Sequence, residues 1–406
     1  MARTSRWLPW LSLVAFTLSL GALADPALAK TVTIPKKGAK CADDQACHNR
    51  WHPAIKPAAT ADPGDTVVFG TRDAFDHTFT RTSVPADVTG ANLNLVHPLT
   101  GPLFVNGAEA GDVLAVTIGD IVPDKFGYTV IVPGFGFLRD LFPNPHIVRW
   151  DLTRSTATSP DMPGVKVRFN GFTGTIGTAP GPKETDLMFQ REDALMKAGG
   201  FVLPPEPKDA LPVDVCGPAG SNKDRCLRTI PPRENGGNMD VKQMVKGTTL
   251  LLPCFVKGCL LSIGDVHFAQ GDGEVCGTAI EAHGRVTIRV DVLPAAKLGH
   301  RPQTPAFESV EPAWKGGRRH FVTTGLPIRP DGSNADLDTT LAARNALLSM
   351  IDWLGAERGL SREQAYVLCS VAVDLRISEI VDIPNPVVSA LCPLDIFHAT
   401  PPRRTG

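Results

Sequence analysis

An acid-rich run interrupts the apolar middle of the chain and constrains the fold more than any other segment. The run is GDVHFAQGDGEVCGTAIE, residues 264–281. Its ionisable side chains are those of Asp265, His267, Asp272, Glu274 and Glu281. The preceding LLPCFVKGCLLSI and the TAI near its end are apolar and strand-like, so we predict that the run passes through the interior. Acids are costly to bury unless they are paired, hydrogen-bonded or bound to metal, and the run therefore predicts a site.

The first half of the acid-rich run has the spacing of a metal-binding pair. Residues two apart in a strand face the same side, so Asp265 and His267 project together and are suited to gripping a divalent cation. Asp240, in the upstream string GGNMD, returns to the same place if residues 247–263 fold back as two strands. The Gly-Asp-Gly-Glu turn that follows then lies beside the cation.

This arrangement predicts hydrolysis by an activated water molecule. A metal ion with an open coordination position lowers the pKa of its bound water to about 7. A nearby carboxylate then accepts the proton and passes it to a leaving amine, which is chemistry suited to amides and related acyl compounds. Two non-catalytic interpretations compete with it: a structural cation site, and an acid cluster satisfied by backbone N–H groups.

The N-terminus has the pattern of an export signal. Arg3 and Arg6 precede the uncharged apolar stretch 7–23, and Ala-Leu-Ala at 27–29 offers a small-x-small cleavage site. We predict that residues 1–29 are a signal peptide and that the mature chain is periplasmic or secreted, without stable membrane insertion. The alternative is an uncleaved anchor helix, since the apolar stretch approaches the shorter end of spanning length.

Abundant glycine and proline with few charges favour short strands joined by tight turns. The chain has 38 Gly, 36 Pro and 20% charged residues, which predicts a mainly β fold, a twisted β-sandwich-type body with a small helical element near the C-terminus. We expect two β-rich parts: residues 30–235, with an irregular insertion, and residues 236–406, with the acid-rich run and the helices. A net charge of −1 gives no electrostatic footprint for nucleic acid.

Helical periodicity and cysteine spacing add local detail. Apolar residues recur with a helical period only over about 337–354, and Ser361 with Gln364 forms a capping box for a second short helix. Nine cysteines in an exported chain favour disulfides. The near pairs are Cys41/Cys47, Cys216/Cys226 and Cys254/Cys259. Sequence does not fix the connectivity, but an odd count leaves a free thiol, for which we expect Cys276.

Several long strings resemble the acetamidase/formamidase family. They are GGNMD, LLPCFVKG, GDVHFAQGDGEVCGTAIE, HPLTGPLFVNGAEAGDVL, HNRWHP, PGDTVVFGTRDAFD and SREQAYVLCSVAVDLRISEIVD. They cover most of the mature chain in order. The resemblance implies a β-rich fold and hydrolysis of a short aliphatic amide, formamide-like or acetamide-like, to carboxylate and ammonia. It also implies a divalent metal, with zinc expected, and assembly into homo-oligomers.

The resemblance can be carried over residue by residue. The family's shared acids and histidine match Asp240, Asp265, His267, Asp272, Glu274 and Glu281. His97 and Asn238 match as well, and His48 belongs to the form of the family that carries HNRW.

Role assignments go beyond the resemblance. We place Asp240, Asp265 and His267 on the metal. Glu274 is predicted to be the general base and acid, and Asp272 to orient Glu274 or the amide. His97, Asn238 and His48 are assigned to substrate binding, where His97 and Asn238 line the pocket or polarise the carbonyl. His283 is a further residue that could join the metal, and Phe135 and Phe137 either cover a pocket or pack.

Two rival functions remain open at this point. Cys276 could act as the nucleophile of a cysteine amidase, although no Lys or Arg lies within the acid-rich run to lower the pKa of its thiol. A non-catalytic extracytoplasmic binding protein could use an acid-rich pocket to capture a cation, an ammonium-like ligand or an amide.

Overall fold

The fold is mainly β, as predicted, and two long antiparallel strands run through its centre. The computed structural model describes residues 29–311 and 317–397, so the predicted signal peptide lies outside the described residues except for Ala29. The strands in chain order are β1 Thr31–Ile34, β2 Cys47–His48, β3 Arg50–Trp51, β4 Ala59–Ala61, β5 Thr66–Thr71, β6 Leu99–Val105, β7 Val113–Ile131, β8 His146–Leu152, β9 Thr156–Thr158, β10 Lys166–Arg168, β11 Phe172–Gly177, β12 Leu227–Arg228, β13 Gly236–Asn238, β14 Thr249–Pro253, β15 Leu261–His267, β16 Glu281–Leu293, β17 Ala306–Val310, β18 Arg319–Gly325, β19 Asp374–Glu379 and β20 Val387–Pro393. The α-helices are α1 Pro85–Thr89, α2 Pro182–Lys197, α3 Val213–Cys216, α4 Thr339–Arg358 and α5 Arg362–Ala372.

The long strands β7 and β16 are paired along most of their length and organise the sheet. In addition, β16 pairs with β5 and β15, and β7 pairs with β8 and β14. Strands β17, β18, β20 and β19 continue from β14. Residues before and after position 235 therefore contribute neighbouring strands to one sheet, so the two predicted β-rich parts share it.

Inward-facing side chains of this sheet enclose one large apolar core. The core gathers alternate residues of β5, β7 and β16, such as Val67, Val116 and Val286, with others from β6, β14, β15 and β18. Because strands that are distant in the sheet meet in the same core, the sheet folds over itself in a sandwich-like manner.

The expectation that helix appears only near the C-terminus is wrong, because α2 spans 16 residues inside the segment read as irregular. Its buried side chains are Thr185, Met188, Arg191 and Glu192, which have helical spacing but are mostly polar. Arg191 is paired with Glu234, and Glu192 is paired with Arg233. A helix buried through ion pairs leaves no apolar periodicity in the sequence.

The predicted hairpin over 247–263 is also wrong. Strand β14 pairs with β7 and β17, whereas β15 pairs with β6, β11 and β16. The connection between β14 and β15 is closed by the Cys254–Cys259 disulfide. Asp240 reaches the site by another route, since it follows β13, which pairs with β11, the neighbour of β15.

The two predicted helices near the C-terminus and the three cysteine pairs are confirmed. Helix α4 ends at Arg358 and is capped by Gly359, which has a left-handed φ of 69°, and α5 follows it. All three cysteine pairs form disulfides, and the free cysteines of the described residues are Cys276, Cys369 and Cys392. Among the described residues no helix is long and apolar enough to cross a membrane.

Candidate active site

Strand β15 presents its aspartate and histidine to a buried cluster of carboxylates. Asp265 and His267 are both almost fully buried, and Asp265 Oδ2 lies 3.3 Å from His267 Nε2. Glu281, the first residue of β16, places Oε2 3.2 Å from the same nitrogen, because Glu281 is opposite His267 in the antiparallel register. Three potential ligand atoms therefore converge on one point from two neighbouring strands.

Gln270 fixes which nitrogen of His267 faces this point. The Gln270 amide nitrogen donates to the carbonyl oxygens of Asp240 and Ser378, at 2.8 and 3.3 Å. Its Oε1 is therefore turned to His267 Nδ1, 2.9 Å away, and accepts the proton of that nitrogen. In the neutral ring the lone pair is then on Nε2, toward Asp265 and Glu281, which is the tautomer that a metal ligand requires.

Asp240 and Glu274 also approach this imidazole, each at a different ring nitrogen. Asp240 Oδ1 lies 3.7 Å from His267 Nδ1, and Glu274 Oε1 lies 3.9 Å from His267 Nε2. Asp240, Asp265 and Glu274 all have left-handed φ angles, of 47°, 56° and 46°. Non-glycine residues held in that region cost about 1 kcal/mol or more each and cluster at functional sites.

Gly174, in β11, leaves room for these side chains because it has no side chain of its own. A Cβ atom at Gly174 would overlap Asp240 Oδ1 and lie 2.8 Å from both Asp265 Oδ2 and His267 Cε1. The backbone of β11 therefore forms one wall of the site, and only glycine fits there.

Two acids near the C-terminus complete the cluster, and the sequence analysis gave them no role. Glu379 ends β19, and its Oε1 is buried without a partner, while Oε2 accepts the N–H groups of Val381 and Asp382. Asp382 Oδ2 accepts from Asn238 Nδ2 at 2.8 Å. Both acids lie within the string SREQAYVLCSVAVDLRISEIVD. The local signal that could have identified them is a pair of acids at and just after the end of a strand.

Two of the three predicted substrate-binding residues lie at the cavity of the site. His97 and Asn238 line the cavity of the site, and His97 Nε2 is 3.7 Å from Asp265 Oδ2. His48 does not line that cavity: its ring is buried between Ser262 Oγ and the Arg50 carbonyl, each 2.8 Å away.

Asp272 lies outside the buried cluster. It forms a 2.9 Å ion pair with Lys242 and lies 3.6 Å from Arg376. The adjacent Gly273 N–H donates to the Ser378 carbonyl at 3.1 Å. These contacts fasten the turn that carries Glu274 to Lys242 and to the end of β19.

Burial and crowding set the protonation of the metal-free cluster. Burial raises the pKa of Glu274 well above its usual range, and the neighbouring Asp240 adds to the rise. Burial likewise raises the pKa of Glu281 to about 8, although His267 opposes it. Burial alone would lower the pKa of His267, but Glu281 and Asp265 raise it well above its ordinary value. The cluster has more negative groups than its histidines can neutralise, and it requires protons or a cation.

His283 belongs to a different group, beside the site. Its Nε2 lies 2.8 Å from Asp73 Oδ2 and 2.9 Å from His77 Nδ1. Its Nδ1 accepts the Asp73 backbone N–H at 3.0 Å. A neutral ring that accepts at Nδ1 carries its proton on Nε2, so this trio is a hydrogen-bonded group and its Nε2 has no lone pair for a metal.

A small cavity of about 30 Å³ adjoins the cluster. One end is polar, with Asp240, Asp265, Glu274 and Glu281. The other end is apolar and is lined by Ala74, Phe75, Leu93, Val96, Val132, Phe135 and Ile230. A mainly β chain with a buried carboxylate–imidazole centre at the end of a small half-apolar cavity has the layout of an enzyme that acts on a small molecule.

Comparison with known proteins identifies the class of enzyme. The model of the Acetamidase/Formamidase family matches residues 34–399. An acetamidase of Mycolicibacterium smegmatis is 37% identical over 351 residues, covering 79% of this chain and 84% of that protein. A formamidase of Methylophilus methylotrophus is 34% identical over 372 residues, covering 87% and 90%. The solved gamma lactamase from Delftia acidovorans superimposes with a TM-score of 0.67 at 33% identity, covering 92% of this chain and 94% of that one.

The chain therefore belongs to the acetamidase/formamidase family. The predicted family, the mainly β fold and the assignment to enzymes that hydrolyse amides are confirmed. At this site two groups of acid and histidine side chains are close enough together to hold a cation, Asp240/His267/Glu274 and Asp265/His267/Glu281. They are consistent with a divalent metal.

The raised pKa of Glu281 predicts a pH-dependent stability of the metal-stripped protein. Glu281 has an ordinary pKa of 4.5 and a folded pKa of about 8, so the folded state holds a proton that the unfolded state has lost. That stabilisation is complete below the unfolded pKa and is lost as pH rises through the folded pKa. Between pH 7 and 8.5 we expect the free energy of unfolding to fall by about 1 kcal/mol.

Urea unfolding of chelator-treated protein at the two pH values measures this change. The Glu281→Gln variant, whose side chain cannot titrate, should show a smaller decrease. A metal-stripped wild type that is equally stable or more stable at pH 8.5 would contradict the raised pKa.

Proposed function

We propose that this protein hydrolyses a short aliphatic amide, formamide-like or acetamide-like, to a carboxylate and ammonia, at a centre that holds a divalent cation, with zinc expected. The observation that carries the proposal is the convergence of unpartnered, buried carboxylate oxygens around His267 at the end of a small cavity. The family's acetamidases and formamidases support the choice of amide bond.

The side chains of the cluster fit a cation. Asp265 Oδ1, Glu281 Oε2 and both carboxylate oxygens of Asp240 are buried without a hydrogen-bond partner. His267 Nε2 is 3.2–3.3 Å from Glu281 Oε2 and Asp265 Oδ2, close to the roughly 3.3 Å between ligands of a tetrahedral ion with bonds of about 2.0 Å. When bound, the cation supplies Lewis acidity to the amide carbonyl and acidifies water.

Glu274 is the group best placed to move the proton. Its side chain lines both the cavity and a groove on the outer side of the same turn. In the reaction its carboxylate takes a proton from the attacking water as the C–O bond forms. It then gives the proton to the amide nitrogen as the C–N bond breaks and ammonia leaves. A raised pKa suits a residue that must hold the proton between the two steps.

Asn238 and His97 have supporting roles at the cavity. The Asn238 amide oxygen accepts from Thr175 Oγ1 at 2.6 Å, and its nitrogen donates to Asp382. Asn238 therefore holds Asp382 in place. The ring nitrogen Nδ1 of His97 is buried without a partner, which leaves it available to the carbonyl or the amine of the substrate.

An ammonia-release assay tests the proposed function. We expect the protein to release ammonia from formamide, acetamide or propionamide, to lose this activity after chelation and to recover it with zinc. Heat-treated protein with the same metal is the control. Release of no ammonia from any of these amides, with zinc or manganese supplied, would instead support a binding protein without turnover.

The cysteine mechanism is distinguished by two conservative substitutions in the same turn. The Cys276 thiol lies 3.4 Å from the Thr278 carbonyl and borders the outer groove. Glu274 borders this groove and also lines the cavity, whereas Cys276 does not line the cavity. Glu274→Gln removes the proton acceptor and should lower kcat by about 100-fold or more. Cys276→Ser, the matched control, should retain most activity. The reverse pattern would show that the thiol is the nucleophile.

We also propose that the mature chain is exported and forms homo-oligomers. Three disulfides in the folded chain support an oxidising compartment. Exposed apolar side chains at Leu141 and Phe142 support self-association. Mass spectrometry of the expressed protein should find an N-terminus near Lys30, and light scattering should give a multiple of the chain mass. An intact N-terminus or a monomer would contradict the respective half of this proposal.

A further inference from the structure

The cavity has two chemically different ends, and they fix the direction in which an amide can bind. The carboxylates that line it lie around His267, whereas the apolar lining residues pack together in one core cluster with Tyr128. The reacting C–N bond must lie at the polar end, beside Glu274. The acyl chain then points to the apolar end, where burial of each CH₂ group is worth about 0.8 kcal/mol.

At the apolar end of the cavity, fully buried side chains form a floor and partly buried side chains form a rim. Phe75, Val96 and Ile230 form the floor and are buried members of a core cluster that also contains Tyr128. Leu93 and Phe135 are only partly buried and form the rim. A longer acyl chain would meet the rim, since the floor is packed on its far side.

Phe135 is the largest side chain of this rim and lies in a loop with an unusual backbone conformation. The flanking Gly134 and Gly136 have φ angles of 80° and 93°, which side-chain-bearing residues rarely adopt. The ring packs edge-to-face against Phe201, with the ring centroids 5.9 Å apart. Phe135 is thus held by this aromatic contact and by packing against the core cluster that contains Phe75 and Tyr128.

The Phe135 loop is joined to the turn that carries Glu274. The Phe137 N–H donates to the Val275 carbonyl at 2.9 Å. A Cβ atom at Gly136 would lie 2.9 Å from the Cys276 carbonyl oxygen, so the two backbones are in direct contact. The position of the Phe135 ring is therefore fixed relative to the proton-transferring carboxylate.

We propose that Phe135 sets the maximum length of the acyl chain, so that the enzyme prefers amides with a short unbranched alkyl group over longer ones. This inference rests on the proposed amidase function. One methylene group in an apolar pocket changes relative kcat/KM by about 10–200-fold, which is enough for one aromatic side chain to define the substrate range.

The experiment compares kcat/KM for formamide, acetamide, propionamide and butyramide in metal-loaded full-length enzyme. In Phe135→Ala we expect the butyramide-to-acetamide ratio to rise by about tenfold or more. In Phe135→Trp, which enlarges the ring, the same ratio should fall while formamide is still cleaved. Phe137→Ala is the matched control, because Phe137 lies two residues away, is 52% exposed and is absent from the cavity lining.

The possible outcomes separate this inference from the proposed function. If the wild type cleaves amides but the ratio is the same in Phe135→Ala, or changes equally in Phe137→Ala, Phe135 does not set the length. If Phe135→Ala misfolds and loses activity, the butyramide-to-acetamide ratio of Phe135→Trp tests the inference in its place. A lower ratio than in the wild type supports it, and an unchanged ratio contradicts it. If the wild type cleaves none of the four amides, the proposed function fails and this inference falls with it.

Discussion

The charge imbalance around His267 is the constraint on which the rest of the site depends. Asp265, Glu281, Asp240 and Glu274 surround one imidazole in the interior of a β-sheet, and several of their oxygens have no partner. Leaving such groups charged and uncompensated costs far more than a folded domain can supply. Protons can satisfy the metal-free cluster, as the raised pKa values of the glutamates indicate. The divalent cation proposed above would satisfy it in place of those protons and would also supply Lewis acidity for amide hydrolysis.

The sheet brings these acids together at places where neighbouring strands begin or end. β15 ends at His267, β16 begins at Glu281, and Asp240 follows β13. Gly174, in β11, supplies the space between them. Asp240 and Glu274 lie outside the strands, so their left-handed φ angles do not interrupt the hydrogen-bonded ladders of the core, whereas Asp265 adopts its left-handed φ inside β15. The backbone strain of the site is therefore divided between the connecting segments and β15.

Sequence patterns predicted the parts of this structure that follow a strong local rule. The period-two spacing of Asp265 and His267 placed them together, and the cysteine spacing matched all three disulfides. Helix α2 was missed because its buried face uses Arg191 and Glu192, whose partners are distant in sequence. Glu379 was missed for a similar reason: its proximity to the acid-rich run depends on the pairing of Gly273 with β19, which no local pattern encodes.

In the turn at 271–278, side chains with different tasks point in different directions. Glu274 points inward to the cluster, Asp272 points outward to Lys242, and Cys276 borders the outer groove. A residue that must exchange protons needs contact with the substrate, whereas a residue that fastens the turn needs a partner at the surface. The ion pair of Asp272 and the Ser378 contact of Gly273 hold one side of the turn, and the Phe135 loop holds the other. Because both sides are held, Glu274 can keep a left-handed backbone and a buried carboxylate at a fixed distance from the apolar end of the cavity. The proposed proton transfer and the proposed limit on acyl-chain length therefore depend on one continuous piece of structure.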